Sequence, residues 1–290
     1  MPINELKVSA GYSKKNKTYF TAPIHQSIKL KSGQTFTFDS LEAGIDGNRL
    51  SFTVKPNNKR INRIRLKFSG MSYHNLFALQ HGATVNREDG HYYLVFPRFQ
   101  EVPKSLTFQM KGISYVTDQS LHFKIPGWNG KENDSSGQKK KVGEIMGSPL
   151  YFAGYSHDLH DPIPGQKIGL KFKWSVPDRV KNYAFLYLTP EKQLKEQLEH
   201  IPDEKERRRI IQQRTGILAI KNDKGKRPDF VRPRGASTIE NTTTIGLLLN
   251  QQYVKSTDYL SITIGHLPNY KTINTKKIKL DIPNKGFIGN

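Results

Sequence analysis

Apolar and polar residues alternate with a period of two through most of this chain, and one form of that pattern occurs twice. Between Ser105 and Pro126, and again between Tyr259 and Pro283, an alternating segment (Leu106, Phe108, Met110; Leu260, Ile262, Ile264) is followed by a polar connection with one tyrosine (Tyr115; Tyr270). A second alternating segment (Leu121, Phe123, Ile125; Ile278, Leu280, Ile282) then stops at Ile-Pro. Successive side chains of a strand point to opposite faces, so each such segment has one buried face and one wet face. Proline has no N–H to give to a ladder and ends the strand. Two closing segments of this kind predict two similar domains, one ending near Pro126 and one near the C-terminus. Chance likeness between two β hairpins would give the same loose match.

The rest of the first half reads the same way. Short strands are predicted at Leu6–Ala10, Thr18–Thr21, Ser27–Leu30, Thr35–Phe38, Arg49–Lys55, Ile61–Phe68 and His91–Phe96. Turn signals separate them: Ser32-Gly33, Asp46-Gly47-Asn48, Pro56-Asn57-Asn58 and Glu88-Asp89-Gly90. Closely spaced turns without a long helical period predict an antiparallel β-sandwich. Residues 127–148 are rich in Gly, Ser and charge, with Lys139-Lys140-Lys141 near their end. That composition predicts a linker, with Trp128 as the exception that packs at a domain junction.

A second domain is expected over 149–290. Pro149–Tyr155, Lys167–Val176, Tyr183–Leu188, Ile217–Lys221 and Thr243–Leu249 read as strands, with Ile168, Leu170, Phe172, Trp174 and Val176 inward. A helical insert is predicted near 190–215. Thr189 is its expected N-cap, Pro190 its first residue and Glu191 its first-turn acid. Leu194, Leu198 and Ile201 form its apolar stripe, and Pro202 breaks it. Acids at Asp203, Glu204 and Glu206 precede Arg207-Arg208-Arg209, as a helix dipole favours at its two ends, and Gly216 closes the insert. The fold class expected is therefore all-β: two immunoglobulin-like antiparallel sandwiches, 1–126 and 149–290, the second with a helical insert.

The 290 residues carry a formal charge of +21. Folding does not require such an excess, and self-repulsion opposes it, so the charge points to attraction for a polyanion: nucleic acid, anionic lipid or an anionic cell wall. There is no cysteine, which removes disulfides, thiolate metal sites and a cysteine nucleophile. No apolar run reaches membrane-spanning length, and no signal segment opens the chain.

Ile28 through Phe38, Leu50–Val54, Asp89–Pro97 and Lys104–Ile113 together resemble an immunoglobulin-like module of the extracytoplasmic halves of Gram-positive membrane-anchored anti-sigma factors. The resemblance covers about the first 126 residues. It implies an extracytoplasmic, sensing or wall-facing role at a Gram-positive cell surface. The sigma-binding segment and the membrane helix of that family have no counterpart in this sequence.

Motifs that carry chemistry are scarce. His157-Asp158-Leu159-His160-Asp161 is the one dense group of potential metal ligands, but it lies in a loop closed by Pro162 and Pro164 and has no evident further ligand. No HExxH, phosphate-binding glycine loop or Gly-x-Ser-x-Gly is present. A carboxylate pair of the glycosidase kind is made in space, so the sequence leaves it open. No metal, no cofactor and no catalytic residue is expected.

The best binding candidate is the basic segment containing Lys224, Lys226, Arg227, Phe230, Arg232 and Arg234. Cations around an aromatic ring can hold phosphates, with Phe230 available to stack, and its prolines should keep the segment extended. A solvated loop explains the same composition. The function expected is non-enzymatic: an interaction or sensing module with a basic surface for an anionic cell-wall polymer, or one that meets another surface protein. The alternatives are a cytoplasmic nucleic-acid-binding protein and an enzyme acting on a wall polymer. Oligomeric state is left open.

Overall fold

The computed structural model describes residues 18–45, 47–58, 60–69, 83–88, 91–99, 105–130, 140–157, 166–177, 188–239 and 242–282. They form two compact units. The first takes the chain up to Ile113 and resumes at Lys271; the second is Ser114–Tyr270.

The first unit contains β1 (Thr18–Lys29), β2 (Thr35–Gly44), β3 (Gly47–Lys55), β4 (Ile61–Ser69), β5 (Ala83–Glu88), β6 (His91–Phe96), most of β7 (Ser105–Val116) and β18 (Ile278–Asp281). Pairing orders them β1-β2-β3-β6-β5-β4-β7, with β18 also on β7. Strand β5 turns a corner: Ala83 and Thr84 pair with β4, while Val85–Glu88 pair with β6. The alternating inward residues meet as an aromatic core. Phe38 of β2 lies edge-on to Phe108 of β7 with ring centroids 5.0 Å apart, and Phe52 stacks on Tyr92 at 5.5 Å. Such pairs each add about 0.5–1.5 kcal/mol beyond the burial of their area. The two predicted strands Thr18–Thr21 and Ser27–Leu30 are one strand, β1. It stays continuous because its register with β2 shifts between Pro23 and Gln26, a bulge that absorbs the irregularity.

The second unit is a sandwich. One sheet runs β14 (Val231–Ile239), β15 (Thr242–Asn250), β11 (Lys167–Ser175), β10 (Ser148–His157), β9 (Lys140–Ile145). The other runs β12 (Thr189–Pro190), β13 (Ile217–Asn222), β16 (Tyr259–Gly265), β8 (Leu121–Pro126). The inward residues of both belong to one core: Ile168, Leu170, Phe172 and Trp174 of β11 with Leu260, Ile262 and Ile264 of β16, all completely buried. Phe123 of β8 meets Phe172 edge-on at 5.7 Å. β17 (Pro268–Thr272) carries the chain back to the first unit.

The division of the chain differs from the expected 1–126, 127–148 and 149–290. The two closing segments do not each fold on themselves. The second strand of the first, β8, pairs with the first strand of the second, β16, so that Ile125 faces Leu260. The second strand of the second, β18, pairs with the first strand of the first, β7, so that Leu280 faces Leu106. The physical reason is that alternation fixes which face of a strand is buried but not which strand lies beside it. The expected linker also belongs to the second unit where it is described. Gly127 N–H donates to Asp258 O at 2.8 Å, Trp128 is buried in that unit's core, and Lys140–Ile145 is strand β9.

The helical insert is two helices, α1 (Glu191–Glu199) and α2 (Glu204–Gln213), separated at Pro202. Leu194 and Leu198 are buried as expected and Ile201 is half-buried. The start is shifted by one residue: Pro190 is the N-cap and Thr189 is drawn into a parallel pairing with Ile217. Arg207, Arg208 and Arg209 sit inside α2 rather than at its C-terminus, and Arg208 and Arg209 bond back to Glu204 and Glu206. Side-chain pairs three and four residues apart stabilise this exposed helix by a few tenths of a kcal/mol each, about 0.2–0.5. The predicted strand Leu6–Ala10 and residues 183–187 of the predicted strand Tyr183–Leu188 lie outside the described residues, as does the turn at 89–90.

Candidate polyanion-binding site

β13 delivers the basic segment at its C-terminal end. Asn222, its last residue, is buried, and its side-chain oxygen accepts from the backbone N–H groups of Lys224 (3.2 Å) and Lys226 (2.8 Å). Its own N–H donates to Lys226 O at 2.9 Å, and Gly225 takes a positive φ of 74° to close the turn. A side chain with a Cβ is disfavoured in that conformation, which is why glycine serves there. Tyr253 clamps the turn from outside by donating its hydroxyl to Lys226 O at 2.8 Å, and burial pushes that phenol up to about 12. On the inner side, Thr257 Oγ1 donates to Asp223 Oδ1 at 2.7 Å, which holds the carboxyl below the usual carboxylate range.

The segment is therefore not an extended loop. It is a tight turn, then a tethered stretch, then the edge strand β14. Lys224 and Lys226 project from the turn and are exposed, and Arg232 is exposed on β14 opposite Leu248. Arg227 is already committed: its guanidinium pairs with Glu191 at the start of α1 at 2.9 Å, and Lys195 joins the same carboxylate at 3.1 Å. Burial alone would raise the Glu191 carboxyl, but the two cations outweigh it and hold it below its ordinary value. Lys192 Nζ donates to Asp229 O at 3.0 Å, and Pro228 is buried. Phe230 is half-buried with Lys167 Nζ 5.3 Å from its ring centroid, so one face of the ring is occupied. The side chain of Arg234 lies outside the described residues.

Of the expected site, the structure thus leaves Lys224, Lys226 and Arg232 displayed, while Arg227 is paired with Glu191 of α1 and Phe230 is half-buried beside Lys167 of β11. Sequence reading missed Glu191 as the partner of Arg227. It had read that glutamate as a first-turn helix acid, a signal that says nothing about a cation on another segment. Trp174, expected to face inward, is completely buried, as is Tyr92, while Tyr93 beside it is half-buried.

The group His157–Asp161 lies outside the described residues, for side chains in the case of His157. Among the described residues no three His, Asp or Glu side chains are placed to hold a metal ion, and no helix is long and apolar enough to cross a membrane.

No protein-family model matches this chain, and no curated protein matches it. Among solved structures it is similar to a chain described as the crystal structure of the conserved domain protein from Bacillus anthracis. The identity is 10%, the match covers 80% of this chain and 73% of that one, and the TM-score is 0.22.

Proposed function

We propose that this protein is a non-enzymatic interaction module that binds an anionic polymer through the basic end of its second unit. The observation that carries the reading is the display of charge around the turn after β13. Between Lys221 and Arg234 the chain has six cations and two carboxylates, and Asp223, one of the two, is engaged by Thr257. The backbone of the turn is fixed by Asn222 and Tyr253, so Lys224 and Lys226 are presented on a rigid base rather than on a free loop. A rigid base lowers the ordering cost of binding. The placement at a Gram-positive surface, as the outer, wall-facing or sensing part of an anchored regulator, rests on the family resemblance of the first 126 residues.

The test is retention of the purified protein on a wall polymer and on DNA at equal charge concentration and matched ionic strength. Binding to the wall polymer that weakens steeply with salt is expected, because each neutralised phosphate releases counterions. Lys224, Lys226 and Arg232 replaced together by Ser should weaken it, with Arg227 left in place because it holds α1. A protein that neither polymer retains, or a triple variant retained as well as the original, overturns the reading.

A further inference from the structure

The cations that the chain separates widely are brought together on the outer face of the four-stranded sheet. In the β13-β16-β8 ladder, Lys221 lies opposite Ser261 and Ser261 opposite Lys124. The next row along the strands is Ala219, Thr263 and His122. Neighbours of these residues, Ile220, Leu260, Ile262 and Ile125, point into the core, so alternation turns both rows outward. Lys124, Lys221 and His122 are exposed, and Ser261 and Thr263 between them are half-buried.

From this we infer that the row Lys124–Ser261–Lys221 is a phosphate-binding subsite, and that its occupant is a phosphodiester polymer without bases. The inference rests on the proposed polyanion-binding function and names the place and the polymer class. Three features carry it. First, β8, β16 and β13 contain no Asp or Glu, so nothing on these strands opposes an anion. Asp223 and Asp258 lie just beyond the strand ends, and Thr257 already donates to Asp223. Second, strands in a sheet are about 4.8 Å apart, which sets the two lysine backbones about 10 Å apart, with a hydroxyl in a low saddle between them. Two ammonium groups on that spacing can close on one phosphate from both sides while the serine hydroxyl donates from below. Third, the ammonium of Lys124 is positioned before any ligand arrives, 3.9 Å from the centroid of the Tyr259 ring. The same contact occupies the ring face that a base would need for stacking, which favours a polymer that has none. β13 runs from this row directly into the Lys224–Lys226 turn, so row and turn form one basic track along which successive phosphates can lie.

Poly(glycerol phosphate) is the probe, with single-stranded DNA as competitor and binding measured at several salt concentrations. Lys124→Ser with Lys221→Ser should weaken binding of the probe by about tenfold or more, since two charge-assisted contacts are lost. It should also lower the slope of log K against log salt by roughly 0.7–0.9, the value for the one phosphate released. Ser261→Glu, which sets a carboxylate between the lysines, should abolish the subsite while both cations remain. All three positions face solvent, and unchanged melting temperatures will confirm that the variants fold. If the original protein binds the probe and both variants bind it equally well, the subsite falls while the broader function stands. If the original binds neither polymer, the broader reading fails first. Preference for DNA, lost in the lysine variant, would overturn the choice of a base-free polymer.

Discussion

Ile125 lies directly opposite Leu260 in an antiparallel ladder, although each belongs to a different one of the two segments that look like closing hairpins. The reciprocal pair is Leu106 with Leu280. The first unit is therefore discontinuous in sequence, and the second is inserted within it. The ends of the insertion are bonded to each other: Thr117 N–H donates to Leu267 O at 3.0 Å, and Leu267 N–H to Gln119 O at 3.1 Å.

Residues 114–270 should consequently fold alone. Thr117 and Leu267, near their two ends, are bonded to each other, and every described strand of both sheets of the sandwich lies within them. Residues 1–126 should not, because they lack β18 and carry β8 without β16 to cover it. Circular dichroism melts of the two fragments will decide. A cooperative transition for 1–126 together with none for 114–270 would contradict the insertion.

Gly127 is required for want of space. A Cβ there would stand 1.8 Å from Thr257 O, a backbone atom that cannot swing away. Gly127→Ala should cost about 1–3 kcal/mol or more, the range for overpacking. Gly130 has a φ of 88° but no atom within 4 Å of a new Cβ. Gly130→Ala should cost about 1 kcal/mol, from backbone conformation alone. Urea denaturation of both variants separates the two mechanisms, and equal losses would refute the packing argument for Gly127.

Trp174 is completely buried in the core of the second unit, and its indole N–H donates to Ile145 O at 3.3 Å. Trp174→Ala should lose about 3–5 kcal/mol by leaving a cavity. Trp174→Phe keeps most of the volume but removes this buried hydrogen bond, so a loss of about 1–3 kcal/mol is expected. The order Ala worse than Phe is the checkable content, read from denaturant midpoints.

Glu191 has a carboxyl held below its ordinary value by Lys195 and Arg227 against the opposing effect of burial. A depressed folded-state value means the stabilisation is present above the unfolded value, near 4.5, and is lost as pH falls through the folded one. Glu191→Gln should therefore destabilise the protein at pH 7 by about 0.2–1 kcal/mol, the range for exposed pairs. The difference should vanish in acid below the folded-state value. Hydrogen exchange in α1 at the two pH values is the measurement, and a gap that persists in acid would assign the effect to something other than charge.

Much of this architecture is written locally. In β11, Ile168, Leu170, Phe172 and Trp174 are buried as alternation predicts, because a strand's side chains leave it on alternate sides whatever lies beside it. Ser32-Gly33 turns the chain, with Gly33 at a φ of 84°, and Pro202 interrupts the helical insert because it has no N–H to donate. Elements, faces and breaks of this kind depend on neighbours a few residues away. The density of Lys and Arg from 224 to 234 is equally visible, being a property of the chain taken in order.

Strand partners are not. Any inward-facing apolar strand satisfies β16 as far as sequence pattern goes, and only the assembled sandwich selects β8. From pairings of this kind follow the unit boundaries, the meeting of Arg227 with Glu191 across β12 and β13 that removes one cation from display, and the alignment of Lys124, Ser261 and Lys221 in one row. The sequence alone determined which residues are inside, where strands turn and that the protein is strongly basic. The tertiary structure decided which cations stand together, because pairing in a sheet joins positions through space with no trace in their spacing along the chain.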